Sequence, residues 1–195
     1  IDPEVPSPSQ FDHVIVQVHD GSKSLWLDPT RTQQRGPASA QDIGDFGVAL
    51  PVTAAAKALV KIDRNPDFID STQTRERVEL DAKGSNADLQ VRTEYQGAAA
   101  NRMRYELAVN GVDTMSRRYE DLYRRRYGEV SAQETMQVSD DAEKNRIVVT
   151  ERYQLVEPWA SSTSGERSID FYADHIGGAV GLPTTMARKT PLAMR

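Results

Sequence analysis

The chain of 195 residues contains no cysteine, which excludes disulfides and thiolate metal sites and leaves its compartment open. It also lacks any run of about eighteen apolar residues, the length that a membrane-spanning helix requires. Neither sign of charge dominates, because the formal net charge is only −5, and this mixed balance disfavours a nucleic-acid partner. Chemistry in this chain must therefore depend on its three histidines, its carboxylates and its hydroxyl groups.

The N-terminal segment predicts a β-hairpin. Residues 11–18 and 23–29 alternate apolar and polar side chains, and Asp20-Gly21 between them is a strong signal for a two-residue turn. With that turn, the predicted cross-strand pairs are His19–Ser22, Gln17–Ser24, Ile15–Trp26 and His13–Asp28. The face expected to join a core carries Val14, Val16, Val18, Leu25 and Leu27. The opposite face carries His13, Ile15, Gln17, Trp26 and Asp28.

Two residues of this hairpin, His13 and Asp28, are candidates for catalysis. Opposed residues of an antiparallel pair have Cβ atoms about 5 Å apart, so the carboxylate can reach the imidazole. It would fix the tautomer and stabilise the imidazolium, which is the role of the carboxylate in a nucleophile–His–Asp triad. Trp26 beside the pair is a candidate for excluding water and binding substrate. The alternative is an ordinary surface ion pair, which contributes little.

No hydroxyl group near the pair qualifies as its nucleophile. Ser24 and Ser22 lie four and six residues from Asp28 along the second predicted strand. At a strand rise of about 3.3 Å per residue, both are more than about 13 Å from the imidazole, which is too far for proton transfer. The hairpin thus supplies a base and an orienting carboxylate alone.

The segments FDHVIVQV and SLWLDPT resemble the His and Asp strands of the transglutaminase-like superfamily, whose papain-related fold carries a Cys–His–Asp triad. The resemblance implies that His13 is the general base and that Asp28 orients it. Further segments are similar to the bacterial subgroup in which this core lies between β-rich domains of unknown function. They are GVALPV, RTEYQGAAANRMRYEL, QVSDDAEKNRIVVTERYQL and RKTPLAM.

The resemblance also implies a part that this chain lacks. In that family the nucleophilic cysteine opens a helix upstream of the His strand, where the helix N-terminus and the imidazole lower its pKa. Only twelve residues precede His13 and none is cysteine, so we expect the chain to be a fragment that is inactive alone. The parent would be a cysteine protease, amidase or acyltransferase without a cofactor, acting on protein or peptide substrates. By resemblance it would reside in the periplasm or cell envelope, and its upstream part, carrying the cysteine, would be the partner of this chain.

The fold class predicted from these patterns is α+β with two domains. Residues 1–64 would be the C-terminal strands of the transglutaminase-like core, and residues 68–195 an accessory antiparallel β-rich domain with two or three helices. The first region is expected to contain strands over 48–52 and 58–62. The second is expected to contain strands over 74–81, 87–95, 132–138 and 146–155, an acidic loop over 139–143, and helices over 98–109, 112–127 and 171–180. A non-catalytic binding or bracing module is the alternative function for residues 68–195.

Other charged groups suggest weaker sites. Five arginines between residues 117 and 126 could form an anion patch, but pairing of Glu120 with Arg124 and of Asp121 with Arg125 predicts a neutralised helix surface. The acidic loop lacks a calcium-binding pattern. His13 and His19 would lie roughly 20 Å apart along one strand, so no metal site is predicted. We expect His175 to pack on a helix and His19 to be structural.

Overall fold

The computed structural model describes residue 11 and residues 13–21, 23–161 and 166–171. The chain forms two compact units, Ile1–Glu157 and Pro158–Arg195. The described part consists mostly of antiparallel β-sheet with two α-helices, which confirms the α+β class. The first unit includes residues 1–64 together with much of the predicted second domain, and the assignment of 1–64 and 68–195 as separate domains stays a prediction.

The hairpin forms between β1 (Val16–Asp20) and β2 (Lys23–Leu27), but in a different register from the predicted one. Gln17 lies opposite Trp26 instead of Ser24, because Asp20 belongs to the strand and pairs with Lys23. The turn therefore starts one residue later, at Gly21, whose φ of 60° suits such a turn. Since the shift is even, each side chain keeps the face that was expected.

The predicted core face of the hairpin is wrong for the first strand. Val14, Val16 and Val18 are exposed, whereas Leu25 and Trp26 on β2 are buried. The reason is that β2 is covered by a more distant segment. The Trp26 amide donates to Oδ1 of Asn65 at 2.9 Å, and Nδ2 of Asn65 donates to the Trp26 carbonyl at 2.7 Å.

The remainder of residues 1–64, after the hairpin, has little regular structure. A 3-10 turn spans Ala38–Ala40, and β3 (Val48–Ala49) pairs with β4 (Val60–Lys61). Both strands are shorter than predicted. Pro51, which lacks an amide donor, follows closely after β3 and prevents a longer ladder.

The main sheet has the order β5-β6-β9-β7, and β8 also pairs with β9. All of its pairings are antiparallel. Its strands are β5 (Asp70–Leu80), β6 (Asn86–Gly97), β7 (Glu129–Ala132), β8 (Gln137–Asp141) and β9 (Arg146–Val156). Burial alternates along β6, as the period of two over residues 87–95 predicts, and also along β9, so that one face of the sheet forms the core.

The predicted strand over 132–138 is wrong, because it spans the break between β7 and β8. The side chain of Met136 is buried there in the core cluster beneath the helices, and this inward turn interrupts the edge strand. The predicted acidic loop is also displaced, since Ser139 to Asp141 belong to β8.

Two helices cover the buried face, as predicted: α1 (Ala98–Asn110) and α2 (Val112–Tyr127). Gly111 and Gly128 have positive φ and end them. Between helices and sheet lies a core of Ala100, Met103, Met115, Met136, Ile147 and Val149. The predicted helix over 171–180, with His175, lies outside the described residues except for Phe171.

The second unit contains a short antiparallel pair, β10 (Ala160–Ser161) with β11 (Arg167–Ser168). The guanidinium carbon of Arg167 lies 5.4 Å from the ring centroid of Trp159, a cation–π contact. Among the helices of the described residues, none has the length and apolar character to cross a membrane.

Candidate active site

The structure brings His13 and Asp28 together. His13 Nε2 lies 2.9 Å from Asp28 Oδ2, although the observed register places Ile15, not His13, opposite Asp28. His13 lies three residues before β1 and Asp28 directly follows β2, so the pair lies just beyond the end of the ladder. The Asp28 side chain is only 2% exposed and the His13 side chain 30% exposed, so the pair joins a buried acid to an accessible base.

The Asp28 carboxylate accepts four hydrogen bonds. The amide and the hydroxyl of Thr30 donate to Oδ1 at 3.0 and 2.7 Å. His13 Nε2 and Arg31 Nε, at 2.9 and 3.2 Å, share Oδ2. Burial by itself raises the pKa of Asp28, but the hydrogen bonds from Thr30 and His13 outweigh it and hold the pKa below its ordinary value of 3.8. Asp28 is therefore ionised at neutral pH.

An ionised Asp28 decides which nitrogen of His13 can act as a base. A carboxylate only accepts hydrogen bonds, so Nε2 carries the proton and Nδ1 of the neutral ring holds the lone pair. Within the described ranges, no residue hydrogen-bonds Nδ1. The ring of Phe46 stacks on the imidazole with centroids 4.9 Å apart and planes 17° apart. The imidazole is thus held at one edge by Asp28 and on one face by Phe46, with Nδ1 left for proton transfer.

Arg31 links this pair to a second carboxylate. Its Nη1 lies 2.5 Å from Asp42 Oδ2. The position of Asp42 is fixed in turn, since its Oδ1 accepts the Gly44 amide at 3.1 Å. The side chain of Gln34 bonds both the amide and the carbonyl of Asp42, at 2.7 and 2.8 Å.

Sequence reasoning missed Phe46, Arg31 and Asp42. Arg31 follows Asp28 by three residues in DPTR, which is a spacing that could have drawn attention. Phe46 and Asp42 lie in irregular segments, where no periodicity indicates which side chains meet.

Trp26 is buried, with 6% of its surface exposed. It lies two positions before Asp28 in the chain and so points to the same side of the extended strand. Its role in substrate binding stays a prediction.

The other histidine described in the hairpin, His19, lies opposite Ser24 and its Nδ1 is 3.0 Å from Ser24 Oγ. This pair is exposed, and the Ser24 hydroxyl is engaged by His19. On α2, Glu120 pairs with Arg124 at 2.6 Å, as predicted. Asp121 also pairs with Arg124, at 2.8 Å, and not with Arg125. No group of three or more His, Asp or Glu residues in the described ranges is arranged to hold a metal ion.

A buried arginine connects the segment after Asp28 to the main sheet. Arg104 of α1 is 7% exposed, and its Nε and Nη2 bind the Asp140 carboxylate at 2.8 and 2.7 Å. Its Nη1 donates to the Gln33 carbonyl and to Asn145 Oδ1, both at 3.0 Å. The Gly36 amide adds a bond to the Ala142 carbonyl at 3.0 Å. The sheet thereby holds the loop that follows Thr30 and Arg31.

A second buried carboxylate, which no sequence pattern indicated, lies on the main sheet. Glu151 of β9 is 4% exposed, and none of the described residues donates a hydrogen bond to it. Burial, with a further contribution from Glu76, raises the pKa of Glu151 to about 7. Burial also raises the pKa of Tyr123, whose hydroxyl donates to Glu76 at 3.3 Å.

The described residues thus hold the His13 imidazole against the buried Asp28 carboxylate, at the start of a loop that the sheet braces. The chain has no cysteine, and its Ser24 hydroxyl is bonded elsewhere. Comparison with protein-family models, with curated proteins and with solved structures finds no match to this chain.

Proposed function

We propose that His13 and Asp28 are the general base and the orienting carboxylate of a transglutaminase-like enzyme that acts on amide bonds. The nucleophilic cysteine would lie in another part of the parent protein. The observation that carries this proposal is the hydrogen bond between His13 Nε2 and a buried, ionised Asp28, which leaves Nδ1 as the basic nitrogen. In an incidental surface pair the carboxylate would be exposed. The Asp28 side chain is instead 2% exposed, and both of its oxygens accept hydrogen bonds.

The proposed reaction has two stages. First, Nδ1 of His13 takes the proton of the cysteine thiol, and Asp28 stabilises the imidazolium that results. The thiolate attacks the amide carbonyl of a protein or peptide substrate, the C–N bond breaks, and the imidazolium returns its proton to the departing amine. Water then resolves the acyl-enzyme in a hydrolase, or a second amine resolves it in an acyltransferase, with His13 again accepting the proton.

Thiol labelling tests this proposal. The parent polypeptide, extended before Ile1, would be treated with iodoacetamide across pH 5 to 9, and alkylation of its cysteines followed by mass spectrometry. We expect one cysteine to react at pH 6, and its rate to fall at least tenfold in His13→Ala and in Asp28→Asn. His19→Ala is the matched control, because His19 lies on the same hairpin and contacts Ser24 instead of Asp28. Equal rates in His13→Ala and wild type would rule out the triad.

A second function, bracing, is favoured by the Arg104 network. We propose that the β-rich region within residues 68–195 holds the Asp28 loop in place and performs no chemistry. The bond from Arg104 to the Gln33 carbonyl and the bond from the Gly36 amide to Ala142 support this role. Arg104→Gln should change the NMR signals of residues 28–36 and lower thiol reactivity in the parent. Unchanged signals in a folded Arg104→Gln protein would contradict bracing.

A further inference from the structure

Two N–H donors share one oxygen of Asp28. Arg31 Nε and His13 Nε2 both donate to Oδ2, at 3.2 and 2.9 Å, while Oδ1 is occupied by Thr30. The guanidinium therefore competes directly with the imidazole for the same lone pairs. Any positive charge that forms on the ring does so close to the permanent positive charge of Arg31.

Arg31 is held in this position, even though 38% of its side chain is exposed. Asp42 binds its Nη1, and the Gly44 amide and Gln34 fix Asp42. Gly44 has a φ of +79°, and a Cβ placed there would lie 2.8 Å from Arg31 Nη2. The backbone at Gly44 thus leaves room for the guanidinium that a side chain would take away.

We propose that Arg31 is a positioning residue for the His13–Asp28 pair. It fixes Asp28 in the orientation that accepts the Nε2 proton, and its positive charge opposes the gain of a second proton by the ring. This inference rests on the proposed function in one respect, since it treats His13 as a base.

Asp28 stabilises positive charge on the ring, because a carboxylate beside an imidazole favours its protonated form. Arg31 lies on the same Oδ2, so its charge opposes that stabilisation. The described contacts of the ring are with Asp28 and with Phe46, which carries no charge, and Arg31 and Asp42 follow as the next charged groups bonded to Asp28.

NMR on the 195-residue chain tests the inference without any nucleophile. With ¹⁵N-labelled histidine, only three rings give signals, and His19→Gln and His175→Gln assign them. We expect Arg31→Gln to raise the titration midpoint of the His13 ring by about half to one pH unit, as expected for loss of a charge at this range. Arg31→Lys, which keeps the charge, should leave the His13 midpoint close to its wild-type value. A purely structural role would make Gln and Lys equally disruptive.

Two further variants keep the test decisive. Arg35→Gln is the matched control, because Arg35 lies on the same loop and donates to the carbonyls of Thr32 and Gln34. It should leave the His13 midpoint unchanged. Asp42→Asn keeps Arg31 but loosens it, and is used if Arg31→Gln does not fold. It should lower the fraction of the Nε2–H tautomer, read from the ¹⁵N shifts.

The outcomes separate this inference from the proposed function. A His13 midpoint that is the same in folded Arg31→Gln and wild type overturns the role of Arg31, while thiol labelling of the parent still decides the triad. Labelling that does not depend on His13 overturns the triad, while the shift caused by Arg31→Gln would still be observed. Equal shifts in Arg31→Gln and Arg31→Lys also overturn the positioning role.

Discussion

Two buried carboxylates of the first unit, Asp28 and Glu151, have opposite acid–base properties. They are 6% and 4% exposed, yet the pKa of Asp28 is below its ordinary value and that of Glu151 is raised to about 7. Burial acts on both in the same direction. The difference comes from donors, because Asp28 accepts four hydrogen bonds and no described residue donates one to Glu151.

The difference in pKa between Asp28 and Glu151 follows from the regions in which the two residues lie. In the irregular loop after β2, main-chain amides are not engaged in a ladder, so the Thr30 amide can turn toward Asp28. Glu151 lies inside β9, where the ladder with β6 uses the backbone amides and Val91 lies opposite. The loop therefore supplies one backbone amide to its buried anion, and side chains supply the other three donors.

Removal of the Arg104 cation should cause the largest loss of stability. It removes the donors of a third carboxylate, Asp140, and so tests whether donors stabilise a carboxylate in the folded state. The pKa of Asp140 is lowered chiefly by its hydrogen bonds from Arg104. We expect Arg104→Gln to reduce the free energy of unfolding by about 3 kcal/mol, since partners of a buried cation lose their bonds. Urea denaturation at pH 7 measures it. Arg102→Gln, which loses an exposed pair with Asp70, is the control and should cost at most about 0.5 kcal/mol. Similar losses in the two variants would contradict this expectation.

Glu151→Gln should stabilise the protein at neutral and alkaline pH. A folded pKa of about 7 against the ordinary 4.5 means that the folded state holds this proton more tightly than the unfolded state. The stability linked to protonated Glu151 is complete below pH 4.5 and is lost as the pH rises through 7. The increase in the free energy of unfolding caused by Glu151→Gln should thus grow from near zero at pH 4 to about 3 kcal/mol at pH 8. A gain that does not vary with pH would show that the proton is not responsible.

Asp28→Asn should have the opposite effect on stability. The lowered pKa of Asp28 contributes stability above pH 3.8 that disappears as the pH falls through the folded value. We expect the variant to lose about 2 kcal/mol at pH 7, because the amide accepts weaker hydrogen bonds and presents a donor to others, and to lose little below pH 3. Unfolding curves at several pH values measure the difference. If the loss were as large at pH 2.5 as at pH 7, the charge of Asp28 would not be its source.

Glu76→Gln should give the smallest effect. Glu76 adds a repulsive contribution to the raised pKa of Glu151, second to burial. Removing its charge should move the midpoint of the pH-dependent stability about half a pH unit lower. Glu79→Gln is a suitable control on the same strand, because Glu79 is exposed. A midpoint that moves equally in both variants would assign the effect to net charge alone.

The sequence was most informative where one local rule governs the structure. Both helices were predicted nearly to their ends, because Gly111 and Gly128 interrupt clear helical spacing. The period of two over residues 87–95 predicted the alternating burial of β6. The hairpin register failed because two adjacent turns, starting at Asp20 or at Gly21, are nearly equivalent in sequence, and only packing of β2 against Asn65 distinguishes them.

For the site, the sequence placed His13 beside Asp28 but not the residues that determine how the pair behaves. Arg31, Asp42 and Phe46 come together through loop conformations that depend on contacts distant in the chain. Glu151 was not visible for another reason: it occupies an inward position of a strand whose period of two admits any residue type. Local patterns thus identify which residues could react, while the environment that sets their charge depends on tertiary contacts.

The bond between Arg104 and the Gln33 carbonyl also has a consequence for the order of folding. It joins residues 71 positions apart, and its partners Asp140 and Asn145 come later still. Closing so long a loop is favourable only once the helix and the sheet exist to receive it. During synthesis the segment that holds Asp28 emerges early, but its final conformation must wait for residues near 145. We therefore expect the region that carries the candidate chemistry to be the last part of the first unit to become ordered.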